Sequence, residues 1–384
     1  MSDEETVADR QMLQETVRKL MERHASPETV RRLDREQQYP EALYREWATT
    51  GLFGLPFPEE LGGAGYGPLD LCTVVEEIAR FSADFVMAFN STIFCGLNLQ
   101  KHGTEEQQCH WLPLLLSGER KFSIAISEPD AGSDVGAIRA TAVRDGTDWI
   151  INGHKLWTTG AGAPNSTINV YVRTDPDTKY RDALSLFLVD NDTPGVSWRK
   201  LDMLGRRCVG TYEVEFDSVR VPHERLVGGV NKGWQVVMSG LQIERVVAAA
   251  NNVGAAQGAL DLAVEYSKER KQFGQAIGTF QALAHQLADL STDVEAARAL
   301  TWRAAEKLSR GEDALREISM AKLFSSETFV RVASAGMQIL GAYGYSMEFD
   351  MQRWFRDSRA ATIAAGTSQM QRNLIANLIG LKVR

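Results

Sequence analysis

Several stretches of the chain carry side chains whose types and spacing suit chemistry. In Ser239–Gln257, SGLQIERVVAAANNVGAAQ, the apolar residues Leu241, Ile243, Val246, Val247, Ala250 and Val253 recur at helical spacing, and one acid, Glu244, stands among them. That carboxylate is either a solvated surface charge beside Arg245 or a partly desolvated base, and spacing alone leaves both readings open. In Ile124–Val135, IAISEPDAGSDV, a strand runs into a loop of small residues. Such a loop lets backbone amides approach a flat or anionic ligand, with Ser127 and Ser133 adding hydroxyls, but a plain β-turn would use the same residues. Trp157-Thr158-Thr159-Gly160 ends a strand, where Trp157 either packs on an aromatic ring system or sits in the core. In Lys268–Gln281, Arg270 and Lys271 suit phosphate, while Phe273 and Gln281 suit an adenine or a second subunit; a helix end, loop and restart is the plainer reading. In Ala364–Gln371, Gly366-Thr367-Ser368 opens a helix, whose N-terminus is an anion site unless Thr367 is only its cap.

These stretches are positioned by an α–β–α order of elements. From residue 1 to about 120 the pattern is helical, with helices over Leu69–Ser82 and Asp84–Lys101 and a capping-box start at Thr104 and Gln107. From residue 121 the period changes. Phe122–Ser127, Ala137–Arg144, Trp149–Asn152, Ile168–Thr174, Leu184–Val189 and Tyr212–Phe216 read as strands. Asn152-Gly153 is predicted to be the type I′ turn of a hairpin, and Pro222 with Gly228-Gly229 closes the block. Helices then run over about Gly233–Arg270, Thr279–Arg310, Asp313–Leu340 and Thr367–Leu381, with bundle-like lengths. The expected fold is therefore α+β: an N-terminal α-helical domain (1–120), a middle β-barrel or sandwich-like domain (121–230) and a C-terminal four-helix bundle (231–384). The absence of βαβ alternation argues against a dinucleotide-binding Rossmann domain.

Composition narrows the classes. With 384 residues, 44% hydrophobic and 24% charged, the chain is long enough for more than one core. A net charge of −8 argues against nucleic-acid binding, and no apolar run reaches the length of a membrane span. The acidic start, MSDEETVADRQ, is unlike a basic presequence, so a cytoplasmic setting is expected. Cys72, Cys95, Cys109 and Cys208 lack metal-site spacing and read as buried free thiols; the six histidines are scattered, so no metal is expected.

In this order the motifs resemble one family. ISEPDAGSD (126–134), NGHKLWTTG (152–160), ERKQFGQAIGTFQ (269–281), GMQILGAYGY (336–345) and RDSRAATIAAGTSQMQR (356–372) are similar to the landmarks of the acyl-CoA dehydrogenases, from about residue 8 to Leu381. The resemblance implies an FAD enzyme that oxidises an acyl thioester to a trans-2-enoyl thioester. By correspondence, Ile126, Ser127, Gly132 and Ser133 would line the flavin and pyrophosphate, Trp157 and Thr159 would flank the isoalloxazine, and Thr367 and Gln369 would contact the diphosphate. Arg270, Gln272, Phe273, Gln281, Gln338, Ile339 and Gly341 would complete the adenine half of a neighbouring subunit's cofactor in a homotetramer. An electron-transferring flavoprotein is the implied electron acceptor.

The resemblance also carries a departure. Most members place the catalytic Glu just before the Gly-Thr of the C-terminal loop, and here that residue is Ala365, which has no proton-accepting atom. A minority, the isovaleryl-CoA dehydrogenases among them, carries the base on the long helix, within a pattern resembling MSGL–x–x–ER. This chain reads Met238 to Arg245 as MSGLQIER, which puts Glu244 at the base position. The backbone N–H of Ala365 would then hold the thioester oxygen. Val86, Met87, Asn90, Ser133, Arg245, Ala248, Asn251, Ala364 and Gly366 are the implied substrate contacts, against the plainer reading of core packing. Small residues at 364 and 365 leave room for a branched, cyclic or otherwise bulky acyl group, and Asn251, two turns beyond Glu244 on the same face, allows a polar one. A relative acting on carrier-protein-tethered acyl or aminoacyl groups is the second reading, and a non-catalytic flavin-binding relative the third.

Overall fold

The computed structural model describes residues 3–175, 177–178 and 182–383. Six α-helices come first: α1 Asp3–His24, α2 Pro27–Glu36, α3 Glu41–Thr49, α4 Pro68–Phe81, α5 Phe85–His102 and α6 Glu105–Leu116. The capping box that opens α6 is formed: the Gln107 N–H donates to Thr104 Oγ1 at 3.2 Å, and the Thr104 N–H donates to Gln107 Oε1 at 3.0 Å. Helix α5 buries residues on every face, from Phe85 to Leu99, because it is sandwiched between other elements instead of covering a surface.

The chain then forms β1 Lys121–Ala125, β2 Thr141–Asp145, β3 Asp148–Thr159, β4 Ser166–Arg173, β5 Leu184–Asp190, β6 Val196–Lys200, β7 Thr211–Pro222 and β8 Leu226–Val227. They make one mixed sheet in the order β6-β7-β3-β2-β4-β5-β8, with β1 added parallel to β4. The predicted hairpin at Asn152-Gly153 does not exist. The β2–β3 turn lies at Gly146-Thr147, and Asn152-Gly153 sits inside β3 at a register shift against β7. Gly153 is needed there for close approach, since a Cβ would stand 2.3 Å from that of Ala140. The dipeptide's local preference was thus overridden by tertiary packing. The short edge strand β6 had no period-2 apolar signal, because three of its five residues are exposed.

Helices return as α7 Gly233–Glu269, then a small antiparallel ribbon, β9 Lys271–Gln272 and β10 Gln275–Ala276, then α8 Gln281–Ser309, α9 Leu315–Leu340, α10 Ala342–Tyr345, α11 Met351–Ala361 and α12 Ser368–Leu378. Helix α11 and the ribbon were not anticipated from the sequence. Helix α7 packs backbone-close on α4: a Cβ at Gly254 would lie 2.1 Å from the Glu76 carbonyl oxygen. Of the cysteines, Cys109 is exposed and not buried as expected, since it lies on the outer face of α6. Among the described residues, no helix is long and apolar enough to cross a membrane, and no cluster of His, Cys, Asp and Glu has the makings of a metal site.

Candidate active site

Glu244 lies about a third of the way along α7, half-buried. Burial pushes its carboxyl above the usual carboxylate range, and the adjacent Arg245 charge pulls it only partly back. Its charge acts on the buried thiol of Cys95, on α5, and the buried phenol of Tyr171, on β4, and helps raise both. The acid thus lies within electrostatic reach of α5 and the sheet and is half-buried, unlike a fully solvated surface charge. Arg245 Nε is buried without a partner. A Cβ at Gly366 would lie 3.9 Å from Arg245 Nη2, so the C-terminal loop abuts α7 beside the acid.

That loop is held open by strained backbone. Ala365 has φ +54° and Gly366 φ +86°, and the left-handed region costs a residue with a Cβ about 1 kcal/mol. The buried ammonium of Lys322, on α9, donates to the Gly366 carbonyl, and Gln371 Nε2 donates to both the Ala365 and Gly366 carbonyls, at 3.4 and 3.3 Å. Both carbonyls are thereby turned away. Among the described residues, no acceptor takes up the Ala365 N–H. Thr367 caps α12, accepting from the Met370 N–H at 3.1 Å. Ala364 and Gln369 are exposed beside it.

The loop after β1 is bolted to β3. Leu156 N–H donates to the Ser127 carbonyl at 2.9 Å, and the Lys155 ammonium donates to the Ile126 carbonyl and to Glu128 Oε1 at 3.0 and 2.8 Å. Glu128 also accepts from the Arg139 and Ala140 N–H groups, at 2.6 and 3.0 Å. The first two motifs are thus one surface, with Ile126, Ser127, Gly132, Ser133, Trp157 and Thr159 on it. Trp157 is 53% exposed with φ +65°, so the core reading for this ring fails. Sequence reasoning missed Glu128 and Lys155; the only signal was that Lys155 falls on an inward position of β3.

The acyl side is mixed. Val86 is packed in the main core, and Met87 and Ala248 are half-buried. Asn90 and Asn251 are buried, each with an Oδ1 that finds no partner, although Asn251 Nδ2 donates to the Ala83 carbonyl at 3.3 Å. The fourth group gathers on one outer face: Arg270, Gln272, Phe273, Gln281, Gln338 and Gly341 are exposed. There the Arg270 guanidinium lies 5.6 Å from the Tyr343 ring centroid. Ile339 is the exception, with its side chain in the bundle core, so only its backbone can face a ligand.

These surfaces fit a flavin dinucleotide. Trp157 offers a bare aromatic face. Nothing lies within 4 Å of a Cβ at Gly132, so backbone there is free to meet a ligand. Ser368 Oγ and Gln371 Oε1, at the α12 N-terminus, are buried without partners. Phe273, 95% exposed at the ribbon tip, meets Phe280 edge-on, with ring centroids 6.2 Å apart, and leaves most of its ring to solvent.

Comparison with known proteins agrees. The N-terminal, middle and C-terminal domain models of acyl-CoA dehydrogenase match residues 8–119, 123–219 and 231–380. The chain is 35% identical to the caffeyl-CoA reductase–Etf complex subunit CarC of Acetobacterium woodii, over 96% of this chain and 97% of that one. It is 37% identical to the mitochondrial short-chain specific acyl-CoA dehydrogenase of Bos taurus, over 95% and 89%. The solved prolyl acyl carrier protein oxidase AnaB superposes with a TM-score of 0.91 at 29% identity, over 97% and 99%. The chain belongs to the acyl-CoA dehydrogenase family, FAD-dependent oxidoreductases that act on CH–CH bonds.

Proposed function

We propose that the chain dehydrogenates an acyl thioester at its α,β-bond with Glu244 as the base. The observation that carries this is the half-buried, burial-raised carboxyl on α7, next to a C-terminal loop whose corresponding residue, Ala365, cannot accept a proton. An α-C–H beside a thioester is a weak acid, so removing its proton needs a base tuned toward working pH and donors for the developing oxyanion. Glu244 supplies the first. The unclaimed Ala365 N–H supplies a donor, aimed by the positive φ that Lys322 and Gln371 hold in place. FAD, when bound, supplies the acceptor for the β-hydride. Trp157 and the 126–134 loop hold the ring, the α12 N-terminus faces the diphosphate, and the outer face around Phe273 completes the adenine site of a second subunit in a homotetramer. The small side chains of Ala364 and Ala365 support a branched, cyclic or bulky acyl group.

The relative named as part of an Etf complex supports an electron-transferring flavoprotein as the electron acceptor. The acyl carrier protein oxidase supports a second reading, in which the thioester is carrier-borne. Anaerobic titration of the holoenzyme with CoA thioesters and with carrier-loaded acyl groups, read by flavin bleaching, separates the two. Glu244→Gln should retain flavin yet be reduced at least about 100-fold more slowly. Reduction at the wild-type rate would dismiss the assignment.

A further inference from the structure

The Arg206 guanidinium reaches Met87, on the side implied for the acyl group, with no acid in contact with its head group. Arg206 lies in the connection between β6 and β7 with φ +55°, and its backbone N–H donates to Asp357 Oδ1 at 2.7 Å. The preceding Gly205 is pressed onto α11, where a Cβ would lie 2.6 Å from Asp357 Oδ1. This anchorage sends the side chain to α5, where Nη1 reaches Met87 Sδ at 3.2 Å, while Nε is buried without a partner. A thioether is a poor acceptor for a guanidinium.

The neighbourhood does not neutralise it. Among the described residues, no carboxylate lies within 4.0 Å of the Arg206, Arg245 or Lys322 head groups, and the charges of Arg206 and Arg245 both act on Lys322. Asp84 and Asp357 act on Arg206 only through space. Burial pushes both acids up, Asp84 to about 7 with the Asp357 charge adding to it, while Arg353 and the Arg206 N–H pull Asp357 partly back. Asp84 Oδ2 is further committed to the Cys208 N–H at 2.6 Å. An unpaired guanidinium in a buried setting is costly unless a ligand pairs with it, and its fork fits a carboxylate.

We infer that Arg206 receives a carboxylate at the far end of the acyl group, so that the preferred substrates are monothioesters of dicarboxylic acids. The wall between Glu244 and this cation, with Met87, Asn90 and Asn251, would span the acyl chain, and the free amide oxygens tolerate a polar one. The inference rests on the dehydrogenase reading above.

The test compares glutaryl-CoA and adipyl-CoA with their ω-carboxamides, which match them in shape but carry no charge, on the holoenzyme and on Arg206→Gln. The wild type should favour each carboxylate by at least about 100-fold in kcat/KM, and Arg206→Gln should bring the ratio to within a few-fold with the carboxamide rate little changed. Arg206→Lys should keep part of the preference. The same discrimination should appear in calorimetric affinities for the two 2-enoyl products, which need no turnover. Carboxamides used as well as carboxylates, or both slowed equally in Arg206→Gln, would overturn the inference and leave the dehydrogenase reading intact. Failure of every acyl thioester, charged or neutral, to bleach the flavin would overturn both.

Discussion

Lys155 and Glu128, 27 residues apart in sequence, form a buried ion pair at 2.8 Å that fastens the 126–134 loop to β3. Burial lowers the ammonium to about 8 even with this partner, so the pair is held at some expense in solvation. Removing only the cation strands a carboxylate. Lys155→Met should therefore destabilise the protein by about 3–5 kcal/mol and loosen its flavin. Adding Glu128→Gln should recover much of that loss. Denaturant midpoints and bound-flavin absorbance measure both, and a double variant no better than the single one would mean the pair does not hold the loop.

Glu244 should leave its mark on the pH profile. A base works deprotonated, so flavin reduction should rise with pH along an acid limb. Because burial raises this carboxyl, the limb should lie above the ordinary carboxylate value of 4.5. Stopped-flow reduction in Glu244→Gln should be slow and should lack the limb. A limb that persists unchanged in the variant would assign it to another group.

The loop position can be asked to take the base back. Glu244→Gln combined with Ala365→Glu should be reduced at least about 10-fold faster than Glu244→Gln alone, given that a positioned base contributes roughly 10²–10⁴-fold. No gain, with flavin bound normally, would mean that residue 365 does not face the α-carbon.

Asp84 predicts a pH-dependent stability. Its folded value, about 7, lies above the ordinary 3.8, chiefly through burial. Its contribution is thus fully present below about 4 and is lost as pH rises through 7. Asp84→Asn keeps an acceptor for the Cys208 N–H but cannot ionise. Its stability relative to wild type should grow by about 1 kcal/mol per pH unit across that window and level off above it. A difference independent of pH would refute this.

The outer face predicts assembly. Phe273 projects from a tight turn, with φ +49° and Gly274 at φ +82°, almost wholly into solvent. Phe273→Ser should leave the fold of one subunit within about 0.5 kcal/mol, yet weaken the tetramer in sedimentation velocity and lower flavin occupancy. An unchanged tetramer with full flavin would remove this ring from the interface.

Much of this was legible in the sequence, and the limits have physical causes. Helices α7, α8 and α9 announced themselves because long apolar periodicity is a local property. Asn152-Gly153 misled because a dipeptide's turn preference is weak against a sheet that needs a glycine under Ala140. The Lys155–Glu128 pair, the grip of Lys322 on the Gly366 carbonyl and the approach of Arg206 to Met87 join residues far apart in the chain. No spacing rule reaches them. The ribbon at 271–276 was hidden because its four strand residues are too few to carry a pattern. Glu244 shows the opposite case: its neighbours in sequence could not settle its exposure, and α5 and β4 do.

Helix α7 runs for 37 residues without a break, about 55 Å at 1.5 Å per residue. Glu244 and the ribbon that carries Phe273 therefore belong to one stiff lever, about 38 Å from the acid to the helix end. A tilt of about one degree at the outer end would move the acid by about 0.7 Å, and errors near 1 Å can cost roughly 100-fold in rate. In the assembly proposed above, the seating of neighbouring subunits would therefore set the aim of the carboxylate as well as complete a binding site.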